Sequence, residues 1–240
     1  MKLITFDTIN STNTWALENF ENLDDETVVI ANQQTNGRGR FDRVWVSGDY
    51  ENIYMSIVLK PMKKDFLVNL TQYLCLAVTK VLKNYDVKSE IKWPNDVLIN
   101  GKKVCGILCE SKLKKNVIQG IVLGIGINLN MPEEIINQID RPATSLNLVL
   151  NRKIDKQLFL EQLLDEFFAN YKKVVEDGFL YIKNDYINSL SYVNQKVYIQ
   201  KYDGDVKEQV FSKTVDDFGN LIIIDENQKE RTILSGDILF

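Results

Sequence analysis

Two stretches of this chain carry apolar residues at helical spacing, and the runs around them read as strands. Residues 66–83 place Leu67, Leu70, Leu74, Ala77, Val78, Val81 and Leu82 on one side, the spacing of an amphipathic helix whose face packs on a sheet. Residues 158–175 repeat it with Leu160, Leu163, Leu164, Phe167, Phe168, Tyr171 and Val174. Segments 3–6, 27–31, 52–59, 91–93 and 117–127 read as strands. Asn100-Gly101 suits the positive φ of a type I′ turn and predicts a hairpin between 97–99 and 102–109. Ser11, Thr12 and Asn13 are cap-type residues before a helix at 14–20, and 179–189 reads as helix too. Strict strand–helix alternation is missing, so the expected class is α+β, a mixed β-sheet backed by helices.

The character changes near Ser191. Short strands follow at 197–200, 206–215, 221–224 and 231–234, with turns at Asp203-Gly204, Phe218-Gly219-Asn220 and 225–227. The expectation is two domains, 1–190 and 191–240, the second a small β-barrel.

Composition narrows the chemistry. The 240 residues contain no histidine, which excludes Ser-His-Asp and Cys-His catalysis and histidine-ligated metal sites. The net charge of −4 argues against a general polyanion binder, so phosphate chemistry must come from a local cluster of Lys and Arg. Cys75, Cys105 and Cys109 are too few and too apolar in setting for a disulfide framework. The N-terminus has no signal-peptide pattern and no apolar run reaches membrane-spanning length. A soluble, cytoplasmic protein is expected.

Four segments carry candidate chemistry. Residues 34–45, QTNGRGRFDRVW, interleave glycines with Arg38, Arg40 and Arg43. Glycines let backbone N–H groups approach an anion, and arginines add bidentate contacts; a solvated basic loop is the plain alternative. Ordering such a loop costs roughly 1–2 kcal/mol per residue, so a ligand that closes it must supply many contacts. In KWPND, residues 92–96, the residue before Pro94 is pushed toward extended backbone and Asn95-Asp96 turns into the hairpin. In KKVCGIL, residues 102–108, strict alternation puts Lys103 and Cys105 on one face and Gly106 on the other; a mid-strand glycine marks close approach of a ligand or another backbone. In GIGIN, residues 124–128, glycines clear one face of a strand that ends at Asn128.

Together with Ser11-Thr12-Asn13, these segments resemble, in order and spacing, the biotin protein ligases, the biotin–[acetyl-CoA-carboxylase] ligase family. The likeness is strong over roughly residues 3–130, and the C-terminal strands fit the family's SH3-like domain in kind. It implies activation of biotin by ATP and Mg²⁺ to biotinyl-5′-AMP, then transfer to a lysine of a carboxylase's biotin carrier domain. It implies that Ser11, Thr12, Asn13, Gln34, Gly37, Arg38, Gly39, Arg40, Lys103 and Gly106 bind biotin. The nucleotide or adenylate would fall to Arg38, Arg40, Arg43, Trp45, Lys92, Asn95, Lys103 and Asn128, with Lys103 and Arg40 catalytic. No side-chain cluster for a metal is read; magnesium would be held through phosphates, with Asn95 near it. Many bacterial members begin with a DNA-binding winged helix-turn-helix. Here Ser11-Thr12-Asn13 stands too close to the start for one, so no DNA partner is expected. Strand 117–127 or its hairpin neighbour could pair across a two-fold axis in a homodimer.

Overall fold

The chain begins with β1 (Lys2–Ile9), α1 (Thr12–Glu18), β2 (Thr27–Gln34), β3 (Ile53–Leu59) and α2 (Asn69–Asn84), and continues with β4 (Glu90–Lys92), β5 (Asp96–Ile99), β6 (Lys102–Lys114) and β7 (Val117–Ile127). These strands form one seven-stranded sheet in the order β1-β2-β3-β7-β6-β5-β4. β1 and β2 run parallel and the other neighbours antiparallel, so the sheet is mixed. The computed structural model describes residues 1–61, 63, 65, 67–200 and 206–239. The predicted helix start at 66 and the Asp203-Gly204 turn lie outside them.

One face of the sheet is covered by α2, which is itself covered by α5 (Lys156–Asp177). Leu70, Leu74 and Val78 of α2 join Met55, Ile57, Ile107 and Ile125 of the strands and Phe159, Leu163 and Phe167 of α5 in one buried core. Each such side chain contributes about 1.5–3 kcal/mol on burial. The opposite face is covered over β2, β3 and β7 by α1 and the turn after it, where Ala16 and Phe20 pack on Val29, Val58 and Val122. Burial on both faces explains why β3 shows no clean alternation: all seven of its residues are buried. α1 starts two residues earlier than the sequence suggests. Ser11 is its N-cap, accepting from Thr14 N at 3.4 Å, which draws Thr12 and Asn13 into the buried first turn.

Asn100 and Gly101 have φ of 51° and 74°, as the predicted hairpin turn requires. The face assignment in β6 is corrected. Leu98 pairs with Lys103 but Val97 pairs with Cys105, so the register shifts and Val104 is an extra residue. A bulge of this kind re-aims the side chains before it. Lys103 therefore shares its face with Gly106, while Cys105 is buried in the core.

Beyond β7 come α3 (Glu133–Ile136) and α4 (Leu146–Leu150), two short helices without a sequence signal; α6 (Lys183–Ser189) follows α5. The second sheet is built from β8 (Gln195–Gln200), β9 (Glu208–Val215), β10 (Leu221–Ile224), β11 (Glu230–Ile233) and β12 (Asp237–Leu239), ordered β11-β10-β9-β8-β12 and antiparallel throughout. It is docked on the first by its β9–β10 turn. The Gly219 carbonyl accepts from Gln72 Nε2 at 2.8 Å and Trp93 Nε1 at 3.0 Å, and the Phe218 carbonyl from Asn69 Nδ2 at 2.9 Å. Among the described residues no helix is long and apolar enough to cross a membrane.

Candidate active site

The face of the first sheet that α2 leaves open is floored by glycine. Gly106 pairs with Gly126 and Leu108 with Gly124 across β6 and β7, so these four residues share one face. A methyl group at Gly124 would overlap the Asn13 amide, one at Gly126 the Trp45 indole, and one at Gly106 would sit 2.8 Å from Lys103 Nζ. The missing side chains are what let Asn13, Trp45 and Lys103 lie against the sheet. Above this floor is a cavity of about 770 Å³.

One end of the cavity is neutral and rich in hydrogen bonds. Gln34 Oε1 accepts from Thr12 N at 2.8 Å and from Thr12 Oγ1 at 3.2 Å, and Gln34 Nε2 donates to Ser47 Oγ at 3.0 Å. Ser56, in the middle of apolar β3, lies 2.8 Å from Thr12 Oγ1 and 2.6 Å from Asn13 Oδ1. Asn13 Nδ2 donates to Leu108 O and to Glu110.

The other end is cationic. Lys103 Nζ stands 2.7 Å from Asp96 Oδ1, and Lys92 Nζ is 3.9 Å from Asp96 Oδ2. Lys103 also lies over the Trp45 ring, 5.2 Å from its centroid. Burial lowers the Lys92 pKa against the opposing pull of Asp96 and Asp237. The Lys103 backbone is clamped, its N–H donating to Pro142 O and its carbonyl accepting from Thr144 N, both at 2.9 Å. That clamp brings residues 138–143 across the mouth of the cavity.

The loop of residues 35–46 folds back on itself over the cavity. Trp45 N donates to Gly37 O at 2.9 Å and Gly39 N to Arg43 O at 2.7 Å. Phe41 and Asp42 form the tip at positive φ, and Arg40 and Arg43 lie over the Phe41 ring. Its three arginines go to different places. Arg38 pairs with Glu110 at 2.6 Å. Arg40 donates to Asn95 Oδ1 at 3.1 Å and Gly236 O at 3.2 Å, and Arg43 donates to Asp237. Burial of the Arg40 guanidinium lowers its pKa against the pull of Asp237 and Asp96. Burial pushes the Asp237 carboxyl up, but Lys92, Arg43 and Arg40 outweigh it and hold it below the usual range.

The sequence-predicted residues Ser11, Thr12, Asn13, Gln34, Arg38, Gly39, Arg40, Arg43, Trp45, Lys92, Asn95, Lys103, Gly106 and Asn128 all line this cavity. Gly37 sits behind it against Ser47 and Trp45. Asn128 is tied down, donating to Thr144 O at 3.1 Å. Sequence reasoning gave no role to Ser56, Glu110, Arg141 or Asp237, and none to Asp96 within its motif. The indole N–H of Trp45 is buried without an acceptor among the described residues. An arrangement with neutral donors and acceptors at one end and cations at the other suits a ligand with a neutral polar end and an anionic end.

Comparison with known proteins agrees. Residues 5–128 match the model of the Biotin/lipoate A/B protein ligase family. The chain is 37% identical over 188 residues to the bifunctional ligase/repressor BirA of Bacillus subtilis, covering 75% of this chain and 57% of that protein. It thus spans little more than half of that relative's length. It is 30% identical over 226 residues to the biotin–[acetyl-CoA-carboxylase] ligase of Paracoccus denitrificans, covering 89% of this chain and 90% of that one. The solved biotin protein ligase from Aquifex aeolicus in complex with biotin and ATP matches with a TM-score of 0.83 and 31% identity over 99% of this chain and 97% of that one.

Proposed function

Because this chain belongs to the biotin/lipoate A/B protein ligase family, we propose that it activates biotin with ATP to biotinyl-5′-AMP and passes the biotinyl group to a lysine of a carboxylase's biotin carrier domain. One arrangement supports this above all: a single cavity has a neutral hydrogen-bonding end and a cationic end, where Lys103 lies against the glycine floor at Gly106.

Ser11, Thr12, Asn13 and Gln34 take the ring end of biotin, with Gly106 as the wall beside it. Lys103 leaves Asp96 to hold the biotin carboxylate and the α-phosphate. Arg40, Arg43, Lys92 and Asn95 take the phosphates, and Trp45 and Asn128 flank the nucleotide. Arg38, Gly37 and Gly39 shape the loop over the bound adenylate.

In the first step a biotin carboxylate oxygen bonds to the α-phosphorus and pyrophosphate leaves. Negative charge grows on phosphate oxygens, so the needs are positioning and fixed cations, not a base. In the second step the neutral lysine amine bonds to the acyl carbon, AMP leaves and the amine loses a proton. A mixed anhydride survives only where water is kept off, which is the task of the folded loop. Among the described residues no three His, Cys, Asp or Glu side chains converge on a metal site. Asn95 Oδ1, which here accepts from Arg40, and the Asp96 carboxylate, which here pairs with Lys103, are the hard oxygens that would hold magnesium beside the phosphates once those cations turn to the ligand. Bound there, it would neutralise phosphate charge.

Residues 1–190 form the catalytic unit in this reading, and 191–240 an SH3-like barrel. The cytoplasm, which supplies ATP and keeps thiols reduced, is its place of action. The test is incubation with MgATP, a carrier domain and either biotin or lipoate, followed by intact mass measurement. A mass gain of one biotinyl group with pyrophosphate release is expected. Neither product from biotin, or preferential transfer of lipoate, overturns the reading.

A further inference from the structure

Glu110 has no part in the roles assigned above, yet it joins both sides of the pocket. It lies on β6 on the same face as Gly106 and Leu108. Its Oε2 accepts from Asn13 Nδ2 at 2.9 Å, and the same oxygen is 2.6 Å from Arg38 Nη2. One carboxylate oxygen thereby links the first turn of α1, the floor strand and the loop over the cavity.

The consequence runs further than the pair. A carboxylate bound to a guanidinium only accepts hydrogen bonds, so the Asn13 amide must point its nitrogen toward Glu110 and its oxygen toward Ser56. The Ser56 hydroxyl lies 2.6 Å from that oxygen and has a single proton to give. Thr12 Oγ1 is 2.8 Å from Ser56 and 3.2 Å from Gln34 Oε1; Gln34 Nε2 then donates to Ser47, and Ser47 Oγ to Trp45 O at 2.8 Å. The run of hydrogen bonds starts at Arg38 and ends at Trp45, both in the loop, and passes under the whole neutral end. With the Ser56 proton committed to Asn13, the Thr12 hydroxyl oxygen accepts from neither neighbour and keeps lone pairs for a ligand N–H, while Gln34 Oε1 is taken by Thr12. Glu110 is where a fixed charge sets the direction of that run.

We propose that Glu110 is a positioning residue for the acid substrate. It fixes the donor and acceptor pattern offered to the substrate's ring and pins Arg38, without touching the reacting atoms. The proposal rests on the biotin-ligase reading. It places Glu110 on the side of biotin recognition, away from the phosphates.

The test measures pyrophosphate release by the full chain at varied biotin and varied ATP, for the parent, Glu110→Gln and Glu110→Asp. Glu110→Gln removes the charge and lets the amide turn its nitrogen toward Asn13. The expected result is a KM for biotin raised about tenfold, with the KM for ATP and kcat within about twofold of the parent. Glu110→Asp keeps the charge and should fall between the two. A biotin KM within twofold of the parent in Glu110→Gln, or a KM for ATP that rises in step with it, overturns the proposal. A parent that releases no pyrophosphate with biotin overturns the functional reading itself, a distinguishable failure.

Discussion

Arg43 donates to Asp237 across 194 positions of sequence, from the loop over the cavity to the last strand of the second sheet. The same carboxylate lies 3.8 Å from Arg40 and 3.4 Å from Arg141. Three guanidiniums and the nearby Lys92 thus look to one acid that the first sheet does not supply. Asp237→Asn should loosen the loop. Limited digestion with trypsin should cut faster at Arg40 and Arg43 than in the parent, and more biotinyl-AMP should escape per biotin transferred. Equal cleavage rates in the two proteins would show that Asp237 does not hold the loop.

Acid should reveal the same contact. The Asp237 carboxyl is held below its ordinary value of 3.8 in the folded chain. A group depressed in this way stabilises the fold above its unfolded pKa, and the contribution fades as pH falls through the folded pKa. The stability gap between parent and Asp237→Asn, from urea unfolding, should be about 1–3 kcal/mol near pH 6 and should shrink as pH falls below about 3.8. A gap that stays constant over that range would remove the ion-pair account.

Lys103 sits where the substrate carboxylate and the α-phosphate meet in the proposed reaction. Lys103→Ala should reduce biotinyl-AMP synthesis by at least about 100-fold while leaving the melting temperature close to the parent's, since the ammonium is partly exposed. Pyrophosphate release within a few-fold of the parent would take Lys103 out of the site.

Gly126 lies under the Trp45 indole, with no room for a methyl group. Gly126→Ala should displace that ring at a stability cost of about 1–3 kcal/mol and shift tryptophan emission to the red. An unchanged emission spectrum and unfolding midpoint would mean that the indole does not rest on the glycine floor.

Much of this was legible from local chemistry. The helices of 69–84 and 156–177 follow from apolar spacing, the β5–β6 turn from Asn100-Gly101, and the pocket walls from residues 34–45 and 92–108. What escaped were relations with no local signature. Strict alternation misplaced Lys103 because a bulge is a property of two paired strands, not of one. Ser56 is a lone polar residue inside an apolar strand, and its meaning appears only when α1 lies across it. Asp237 stands in a three-residue strand at the far end of the chain, and nothing near it in sequence hints at the loop it meets. Residues 138–143 reach the cavity because the Lys103 backbone binds Pro142 and Thr144, a contact that no motif announces.

The carbonyl of Gly219 is gripped by Gln72 and Trp93, side chains from α2 and from the turn between β4 and β5. Those two contacts join the second sheet to the first, and β12, at the edge beside β8, carries Asp237 to the loop. A chimera that exchanged residues 191–240 for a foreign module would inherit a gate with no bolt, unless the graft restored both the seat for Gly219 and a carboxylate at position 237. The two sheets would have to be transplanted as a matched set.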